Sequence, residues 1–401
     1  MTIISGRVYN YLVQQYNNTI EWWLFLMDLS SLRSEIDSID EQILELFKRR
    51  MNINIDVANY KMANNMPIFQ QDREKQVLEK AKARSPKMLQ NGSEALFMQI
   101  MDIGKSVQQQ TIYKDATFME YEPLNIDSNS SVACFGIQGS NTEHAIKKIF
   151  TNGCDIKYKS TFEEVCLAVQ NGDTEFGVIP IQNSTSGSIT ATYDLLKKYD
   201  LYINSTTDVS LSHCLAVKKG TKLQDVKDIY SHPQCLEQCS NFIEKYGFNF
   251  HDHGNTSLSA KYVVDSSENI GVICSEYCAE LYGLEPIAKD ISDVLPNYTR
   301  FICVSNKFKK SEKADVISII VTISHVEGSL YRFLSKFFVC GLNLLKIESR
   351  PLHDGSFSVA FYIDFEGSID DVRVSSLLTS LRDEMEYFKF LGNYSNLNCI
   401  Y

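Results

Sequence analysis

The sequence lacks the features that typify membrane, disulfide-stabilised and metal-binding proteins. No apolar run approaches the ~20 residues that a membrane helix requires, and the apolar stretch at residues 22–27 is too short. Eleven cysteines are present without a CxxC pair, and the closest two, Cys235 and Cys239, have no histidine at zinc-ligand spacing. These absences predict reduced thiols, no metal site and a cytoplasmic location.

Positive charge is also scarce, with 39 lysines and arginines against 50 aspartates and glutamates and a formal net charge of -11 at pH 7. This balance argues against a general nucleic-acid-binding surface. A hydrophobic content of 44% is typical of a globular protein, and 401 residues predict two to four domains. Residues 1–27 differ in pattern from the rest of the chain, so we interpret them as a leader, peripheral or not native, with Met27 as the natural start.

Residues 28–114 have apolar side chains at helical spacing. A heptad seam with steps of four and three begins at Leu32 and continues through residues 36, 39, 43, 46, 53, 57 and 60. Arg50 occupies a seam position, and Lys61 lies about three helical turns farther along the same face. Because a buried guanidinium without a partner is very costly, the two cations predict a buried pocket for an acid.

Two shorter helices are predicted after this long one. Pro67 ends the first helix, a second is expected at about residues 71–84, and a third after Ser93, through Val107. Three such helices make a thin core, so dimerisation is expected. The polar residues 115–131 then predict a linker with little regular structure.

Residues 132–306 alternate between strand and helix patterns. Apolar runs predict buried strands of a parallel sheet at residues 132–135, 176–181 and 270–274. Polar turns between a strand and a helix recur at residues 136–142, 182–188, 231–234 and 255–257. Each alone is an ordinary helix cap. Because free amides at helix N-termini bind anions, the four together predict a two-lobed cleft for an acidic small molecule.

The last region begins after residues 309–314, whose charges predict a second linker. Residues 315–401 have the pattern strand, helix, strand, strand, helix, strand. The two middle strands are joined by a hairpin turn at His353-Asp354-Gly355. This βαββαβ order is typical of a ferredoxin-like α+β domain.

The helical region resembles the all-α chorismate mutases. The likeness lies in residues 32–40 (LRSEIDSID), 48–50 (KRR) and 72–75 (DREK), with Lys61, Pro67 and Gln108. The resemblance implies an intertwined dimer in which Arg33 reaches the neighbouring chain's site. It also implies that Arg50 and Arg73 hold the substrate carboxylates. The implied catalytic contacts are those of Lys61 and Gln108 with the ether oxygen and of Glu74 with the ring hydroxyl.

The chemistry of a mutase suits such a pocket of cations. The rearrangement of chorismate to prephenate is unimolecular and needs no nucleophile or metal, so it is enough to hold the dicarboxylate and stabilise the breaking ether. Gln70 and Gly104 stand where the family usually has an aspartate and a serine. We therefore expect reduced or altered affinity rather than loss of the site.

The middle region resembles the prephenate dehydratases over nearly all of residues 132–305. The likeness lies in residues 177–185 (GVIPIQNST), 230–239 (YSHPQCLEQC) and 297–301 (NYTRF). The resemblance implies a bilobal fold like that of the periplasmic binding proteins, with Thr299 as the catalytic donor to the departing hydroxyl. The implied substrate-binding residues are Asn183, Ser184, Thr185, Ser231, His232, Arg300 and Phe301.

Four positions in this region qualify the resemblance. Gln182 replaces the family's usual glutamate, and Asn141 replaces its usual tyrosine. On a strand, Thr299 and Phe301 face one side and Arg300 the other. A structural role therefore remains an alternative for Arg300, as it does for His232.

The C-terminal region resembles the ACT regulatory domains of this enzyme group. The likeness lies in residues 327–333 (EGSLYRF) and 347–351 (IESRP). The resemblance implies that L-phenylalanine binds across a dimer interface. The implied effector-binding residues are Gly328, Ser329, Leu330, Glu348, Ser349, Arg350 and Pro351. A purely structural dimerisation domain is the alternative.

The three likenesses together predict a multidomain enzyme of phenylalanine biosynthesis. Its domains would be a three-helix mutase, a bilobal α/β dehydratase and a ferredoxin-like α+β ACT domain. We expect conversion of chorismate through prephenate to phenylpyruvate, feedback inhibition by L-phenylalanine, no cofactor, and a homodimer or higher homo-oligomer. Two alternatives are a monofunctional dehydratase whose mutase domain only dimerises, and a non-catalytic ligand sensor.

Overall fold

The computed structural model describes residues 29–68, 70–114, 117–324, 326, 328–351 and 359–397. The proposed leader with Met27, the turn at His353-Asp354-Gly355 and Glu327 lie outside these residues. Two compact units are present, Met1–Lys114 and Asp115–Tyr401. No helix in the described ranges is both long and apolar enough to cross a bilayer.

The first unit is helical. Its helices are α1 (Leu29–Ala63), α2 (Gln71–Ala83) and α3 (Gln90–Ile112), with a short 3-10 helix at Lys87–Leu89. The chain leaves α1 through Asn65, whose φ is 50°, and then reaches Pro67. The prediction that the third helix begins after Ser93 was wrong, because α3 begins at Gln90. Gly92 therefore lies in the first turn, where the amides lack intrahelical partners in any case.

The N-terminal half of α1 is uncovered in the single chain. Residues 33–46 are all exposed, and they include the apolar seam residues Ile36, Ile39, Ile43 and Leu46. Farther along the helix, Arg50 is half-buried and Ala58 is buried. Of the later seam residues, Val57 is half-buried, whereas Ile53 and Tyr60 remain exposed. The seam therefore packs within the unit only in part, and its N-terminal half presents an apolar stripe to the surroundings.

The second unit is built around two large sheets. The strands of the first lobe are β2 (Ser131–Phe135), β3 (Asp155–Lys159), β4 (Phe176–Asn183), β5 (Gly187–Ser188), β6 (Tyr202–Ser210) and β12 (Tyr298–Ser305). Those of the second lobe are β7 (His213–Val217), β8 (Asp228–Ser231), β9 (Asn249–Asp252), β10 (Gly271–Ser275) and β11 (Glu285–Ala288). The chain crosses between the lobes twice, after β6 and before β12.

Helices follow the strands in both lobes. They are α4 (Asn141–Ile149), α5 (Phe162–Gln170), α6 (Thr190–Lys198), α7 (Pro233–Glu237), α8 (Ser240–Tyr246), α9 (Thr256–Asp265) and α10 (Glu276–Leu281). The predicted parallel pairing is present between β2 and β4 and between β8 and β10. It was wrong for the whole sheets, because β12 runs antiparallel to β4, and β7 antiparallel to β10. The strand that follows each crossing, β7 in the second lobe and β12 in the first, runs against the strands on both of its sides.

The segments predicted as linkers are packed. Residues Glu122–Pro123 (β1) pair with Lys309–Lys310 (β13). Phe118 is buried, with its ring centroid 5.3 Å from that of Phe390. The linker predictions were therefore wrong at these residues, because an aromatic side chain and a short strand pair tie them to the core.

The C-terminal elements follow the predicted order. They are β14 (Val316–Thr322), α11 (Ser329–Val339), β15 (Leu344–Pro351), β16 (Val359–Glu366), α12 (Val372–Glu384) and β17 (Phe388–Leu397). The strand β17 pairs in parallel with β6, so a ten-stranded sheet runs from β15 at one edge to β3 at the other. The first lobe and the C-terminal elements therefore share one sheet, which the sequence did not indicate.

Candidate active sites

Polar side chains of α1 and α3 meet inside the helical unit. The Lys61 ammonium donates to Gln108 Oε1 at 3.2 Å and to the carbonyl of Ile68 at 2.6 Å. Arg50 donates to the carbonyl of Ile100 at 3.0 Å. Burial lowers the pKa of Lys61, although the charge of Glu74 raises it, and burial also lowers the pKa of Arg50. The predicted pair of cations therefore faces the interior, with Gln108 beside Lys61.

Glu74 and Gly104 border this cluster. Glu74 forms an ion pair with Lys105 at 3.0 Å, and Lys105 forms another with Asp102 at 2.9 Å. A Cβ atom on Gly104 would lie 2.5 Å from Nδ2 of Asn54. Since Asn54 also accepts from Gln108 at 3.3 Å, the glycine makes room for an amide that holds Gln108.

Two predicted mutase residues lie apart from the buried cluster. Arg33 and Arg73 both have exposed side chains. Arg33 belongs to the uncovered half of α1, where the single chain provides no pocket wall. Its predicted role therefore depends on a second chain, as the resemblance implies.

In the second unit, a cavity of about 750 Å³ lies between the lobes. Its walls include residues from all four polar turns that the sequence analysis singled out, together with two residues of β12. These residues are Gly136, Asn141, Thr142, Asn183, Ser186, His232, Gln234, Asn255, Thr256, Ser257, Thr299 and Phe301. The fold thus brings the four turns to one cleft, as expected.

Three of the turns are helix caps, and one differs. Ser140, His232 and Asn255 accept from backbone amides at the starts of α4, α7 and α9. Asn183 instead accepts from the amides of Thr185 and Ser186 at 3.0 and 2.9 Å. The expected helix after residues 182–188 is present, because α6 begins at Thr190, although Gly187 and Ser188 at the end of the turn form the short strand β5.

Asn183 also connects this turn to the catalytic candidate. Its Nδ2 donates to Thr299 Oγ1 at 3.0 Å and to Asn297 Oδ1 at 2.8 Å. All three side chains are buried. Because Asn183 supplies a hydrogen to the Thr299 oxygen, the threonine's own hydrogen remains available to a ligand in the cleft.

Several predicted substrate-binding residues support the cleft without lining it. Ser184 Oγ accepts from the amide of Tyr298 at 2.9 Å, and Thr185 Oγ1 donates to Asn183 Oδ1 at 2.6 Å. Ser231 is fully buried and donates to the carbonyl of Ile273 at 2.6 Å. Their hydroxyls therefore hold the turns that carry the lining residues.

Arg300 points away from the cleft. It forms a two-point ion pair with Asp208 at 2.8 and 2.9 Å. It borders a smaller cavity of about 170 Å³ between the first lobe and the C-terminal elements. Thr299 and Phe301 line the cleft instead, so the side chains alternate as the strand pattern predicted.

The sequence analysis missed several polar residues of the cleft. His213 and Gln238 line the cavity and bond to each other at 3.0 Å, and Ser275 lies on the same wall. Gln238 falls within the motif at residues 230–239 but was not singled out. His213 had no signal, because its position at the start of β7 depends on where the chain enters the second lobe.

The predicted effector segments lie on the C-terminal elements. Gly328 precedes α11 with φ 76°, and Ser329 begins that helix. On β15, Ser349 and Pro351 are exposed, as is Leu330 of α11. The other two predicted residues of β15 are connected to the first lobe. Arg350 forms an ion pair with Glu348 at 2.9 Å, and Glu348 accepts a hydrogen bond from Ser188 at 3.0 Å.

Lys346 provides a second connection to the first lobe. Its ammonium contacts Gln182 Oε1 at 3.0 Å and also the hydroxyl of Tyr193. Burial lowers the pKa of Lys346, while the charges of Asp364 and Glu348 raise it. The strand with the predicted effector residues therefore touches the residue that directly precedes Asn183.

Comparison with known proteins gives matches to both units. The family models for prephenate dehydratase and for chorismate mutase type II match residues 132–309 and 32–109. A bifunctional chorismate mutase/prephenate dehydratase from Stutzerimonas stutzeri is 30% identical over 91% of this chain and 97% of its own length. One from Buchnera aphidicola subsp. Acyrthosiphon pisum is 29% identical over 90% and 95%.

Solved structures match the second unit. A prephenate dehydratase from Arthrobacter aurescens in complex with L-Phe superposes with a TM-score of 0.59 at 27% identity, covering 67% of this chain and 90% of that one. A prephenate dehydratase from Staphylococcus aureus superposes with a TM-score of 0.58 at 25% identity, covering 66% and 99%.

Proposed function

The chain belongs to the family of bifunctional chorismate mutase/prephenate dehydratases, and we propose which of its residues perform each reaction. It converts chorismate to prephenate, and prephenate to phenylpyruvate, carbon dioxide and water. We assign the first step to residues 28–114 and the second to residues 132–306. Neither reaction needs an electron carrier, so we propose no cofactor.

The mutase assignment is supported by two cations that bond to neutral partners. Arg50 and Lys61 contact a carbonyl and an amide, and within the described residues neither forms an ion pair with a carboxylate. A dicarboxylate entering the pocket therefore meets positive charge that is already desolvated, and the attraction is stronger than in water. Arg50 and Arg73 hold the carboxylates in this proposal, together with Arg33 of a second chain.

Lys61 and Gln108 act on the breaking ether. In their contact of 3.2 Å the Lys61 ammonium donates to Gln108 Oε1, so the Gln108 Nε2 group lies close by as a second donor. Both donors can turn toward an ether oxygen that gains negative charge in the transition state. Glu74 accepts from the ring hydroxyl in this scheme. Lys105 neutralises Glu74 in the free protein, so it limits the repulsion between that carboxylate and the substrate.

The dehydratase assignment is supported most strongly by the contact between Asn183 and Thr299. When the ring carboxylate leaves as carbon dioxide, its bonding electrons move into the ring and expel the hydroxyl. A donor must stabilise the departing oxygen, and the Asn183 amide directs the Thr299 hydrogen into the cleft. Phe301 and the polar turns enclose the rest of prephenate.

Substitutions at two residues of the full-length protein test whether the two reactions occur at separate sites. We expect Thr299→Ala to slow phenylpyruvate formation by about 10²-fold or more while chorismate consumption is kept, and Thr299→Ser to retain most activity. We expect Arg50→Ala to abolish only the mutase step. Chorismate, prephenate and phenylpyruvate are measured together, and equal loss of both activities in either variant would contradict separate sites.

The same assay addresses the two alternatives. A chain whose mutase domain only dimerises would leave chorismate unchanged, and a ligand sensor would leave both substrates unchanged. The packing of Asn54 against Gly104 argues for an adapted mutase pocket, because the amide occupies the space of the family's usual serine and holds Gln108.

We further propose a homodimer regulated by L-phenylalanine through an ACT-like domain at residues 315–401. The exposed apolar stripe of α1 supports the dimer, because monomers rarely expose so large an apolar surface. The position of β15 at a sheet edge supports a second contact between chains. The solved relative in complex with L-Phe supports the effector. Ten described cysteines are free thiols, which supports a cytoplasmic location.

Calorimetric titration with L-phenylalanine tests the regulatory proposal. We expect the wild type to bind L-phenylalanine and Ser329→Trp to bind it more weakly, because the bulky side chain fills the space at the start of α11. D-phenylalanine is the matched control. If the protein is folded and active but binds neither enantiomer, the proposal of L-phenylalanine as effector would be wrong. The two catalytic assignments would not be affected.

A further inference from the structure

The wall of the dehydratase cleft contains a thiol and an imidazole that the reaction above does not use. Cys235 of α7 is partly exposed and lines the cavity, with its Sγ 3.5 Å from Thr256 Oγ1. His213 lines the same cavity, but only 3% of it is exposed. The thiol can therefore be reached from the cleft, while the ring beside it is shielded from water.

The hydrogen bonding of His213 leaves one ring nitrogen for the thiol. Its Nε2 lies 3.0 Å from Gln238 Oε1, and because that oxygen only accepts, Nε2 carries a hydrogen. In the neutral ring, Nδ1 is then an acceptor. Nδ1 is buried and has no hydrogen-bond partner of good geometry in the described part of the chain. Buried orphan acceptors are rare, and a thiol proton would satisfy this one.

The acid–base properties of the two groups point the same way. Burial raises the pKa of the Cys235 thiol, but His213, Thr256 and Ser231 lower it by more, so the net pKa lies below the ordinary value. Burial lowers the pKa of His213, but contact with Cys235 and Gln238 raises it overall. Both directions favour a proton on the imidazole and negative charge on the sulfur, which is the nucleophilic form.

The other described thiols provide the contrast. Eight of the ten are buried, and Cys154 is partly exposed like Cys235. Burial, together with the negative charges of Asp155 and Glu143, raises the pKa of Cys154 to about 11. Cys154 is therefore a matched control of similar access and opposite electrostatics.

We propose that Cys235 is a modification site for small soft electrophiles and that its alkylation closes the dehydratase cleft. With a haloacetamide, the sulfur forms a bond to the methylene carbon, the carbon–halogen bond breaks, halide leaves, and the thiol proton passes to His213. The new group lies beside Gln238 and Thr256, in the volume that prephenate needs. The loss of activity rests on the proposed function, whereas the reactivity of the thiol does not.

The test treats the full-length protein with iodoacetamide and follows each cysteine by peptide mass spectrometry. We expect Cys235 to react about tenfold or more faster than Cys154, His213→Gln to slow it, and prephenate to protect it. Dehydratase activity should fall at the rate of Cys235 labelling while the mutase persists. Cys235→Ser should stay active and resist inactivation, and Cys154→Ser should behave as the wild type.

Equal labelling rates of Cys235 and Cys154 would overturn the proposal that Cys235 is a reactive site. Fast labelling of Cys235 with unchanged dehydratase activity would overturn the proposal that alkylation closes the cleft. A protein without dehydratase activity before treatment would contradict the proposed function instead, and the labelling rates would still decide whether Cys235 is reactive.

Discussion

The ion pair between Arg300 and Asp208 predicts that Arg300 stabilises the fold and does not bind substrate. Asp208 has 5% of its side chain exposed and Arg300 27%, and two hydrogen bonds at 2.8 and 2.9 Å join them. Arg300→Met would remove both of these hydrogen bonds from a buried carboxylate. Losing one partner of a fully buried pair costs about 3–5 kcal/mol. Partial exposure of Arg300 screens the pair, so we expect about 2–3 kcal/mol.

The assay must report on the second unit. Hydrogen exchange of the β6 and β12 amides reports on it directly, and a loss of about 2–3 kcal/mol corresponds to roughly 30- to 150-fold faster exchange. Steady-state kinetics on the same variant separate the KM for prephenate from kcat.

Matched variants complete the test. The double variant Asp208→Asn, Arg300→Met should lose less folding stability than the sum of the losses in the two single variants, because the two side chains interact directly. Lys198→Met removes an exposed pair with Glu163 and should change exchange by no more than about twofold. A KM raised tenfold by Arg300→Met with unchanged exchange would refute the structural role and indicate that Arg300 binds substrate.

Four further predictions concern the mutase, the dimer and the regulation. Gly104→Ser should lower mutase kcat by about three- to tenfold, because the new side chain overpacks against Asn54 and displaces the amide that holds Gln108; the absorbance of chorismate measures the rate. Burial lowers the pKa of Lys61, so this ammonium loses its proton at a lower pH than an ordinary lysine does. Mutase activity should therefore fall as the pH rises through that lowered pKa. Ile43→Asp should dissociate the dimer in sedimentation and remove mutase activity. Lys346→Met should raise the L-phenylalanine concentration for half-inhibition about fivefold or more.

Each of these has its own control. Asn54→Ala should restore activity to Gly104→Ser, and failure would place the cost elsewhere. Lys61→Arg, whose charge persists, should flatten the alkaline fall; an unchanged profile would mean that another group titrates. A dimer that survives Ile43→Asp would show that the stripe is not the interface. Inhibition of Lys346→Met at wild-type concentrations would show that Gln182 takes no part in regulation.

Local patterns in the sequence were enough to predict many elements of the fold. The seam of α1, the polar caps at Ser140 and Asn255, and the C-terminal order of strands and helices all depend on neighbours within a few residues. Hydrophobic periodicity and capping chemistry act over that range. The same reasoning placed Thr299 and Arg300 on opposite faces, because strand side chains alternate.

Other features depended on contacts between distant residues. The antiparallel direction of β12, the pairing of β17 with β6 and the burial of Phe118 result from the chain's path between lobes, which no local pattern records. His213 reached the cleft in the same way. It meets Gln238 from 25 residues away, and neither residue has a local signal for that contact.

Composition and motifs by themselves determined that this is a globular chain of the chorismate mutase and prephenate dehydratase families, and which polar turns line one cleft. The tertiary structure decided the roles of individual side chains. It turned Arg300 toward Asp208, gave Thr299 its amide partner and set Lys346 against Gln182. The physical reason is that a side chain's pKa, partners and access depend on packing between elements distant in the chain, whereas caps and periodicity depend on the residues beside them.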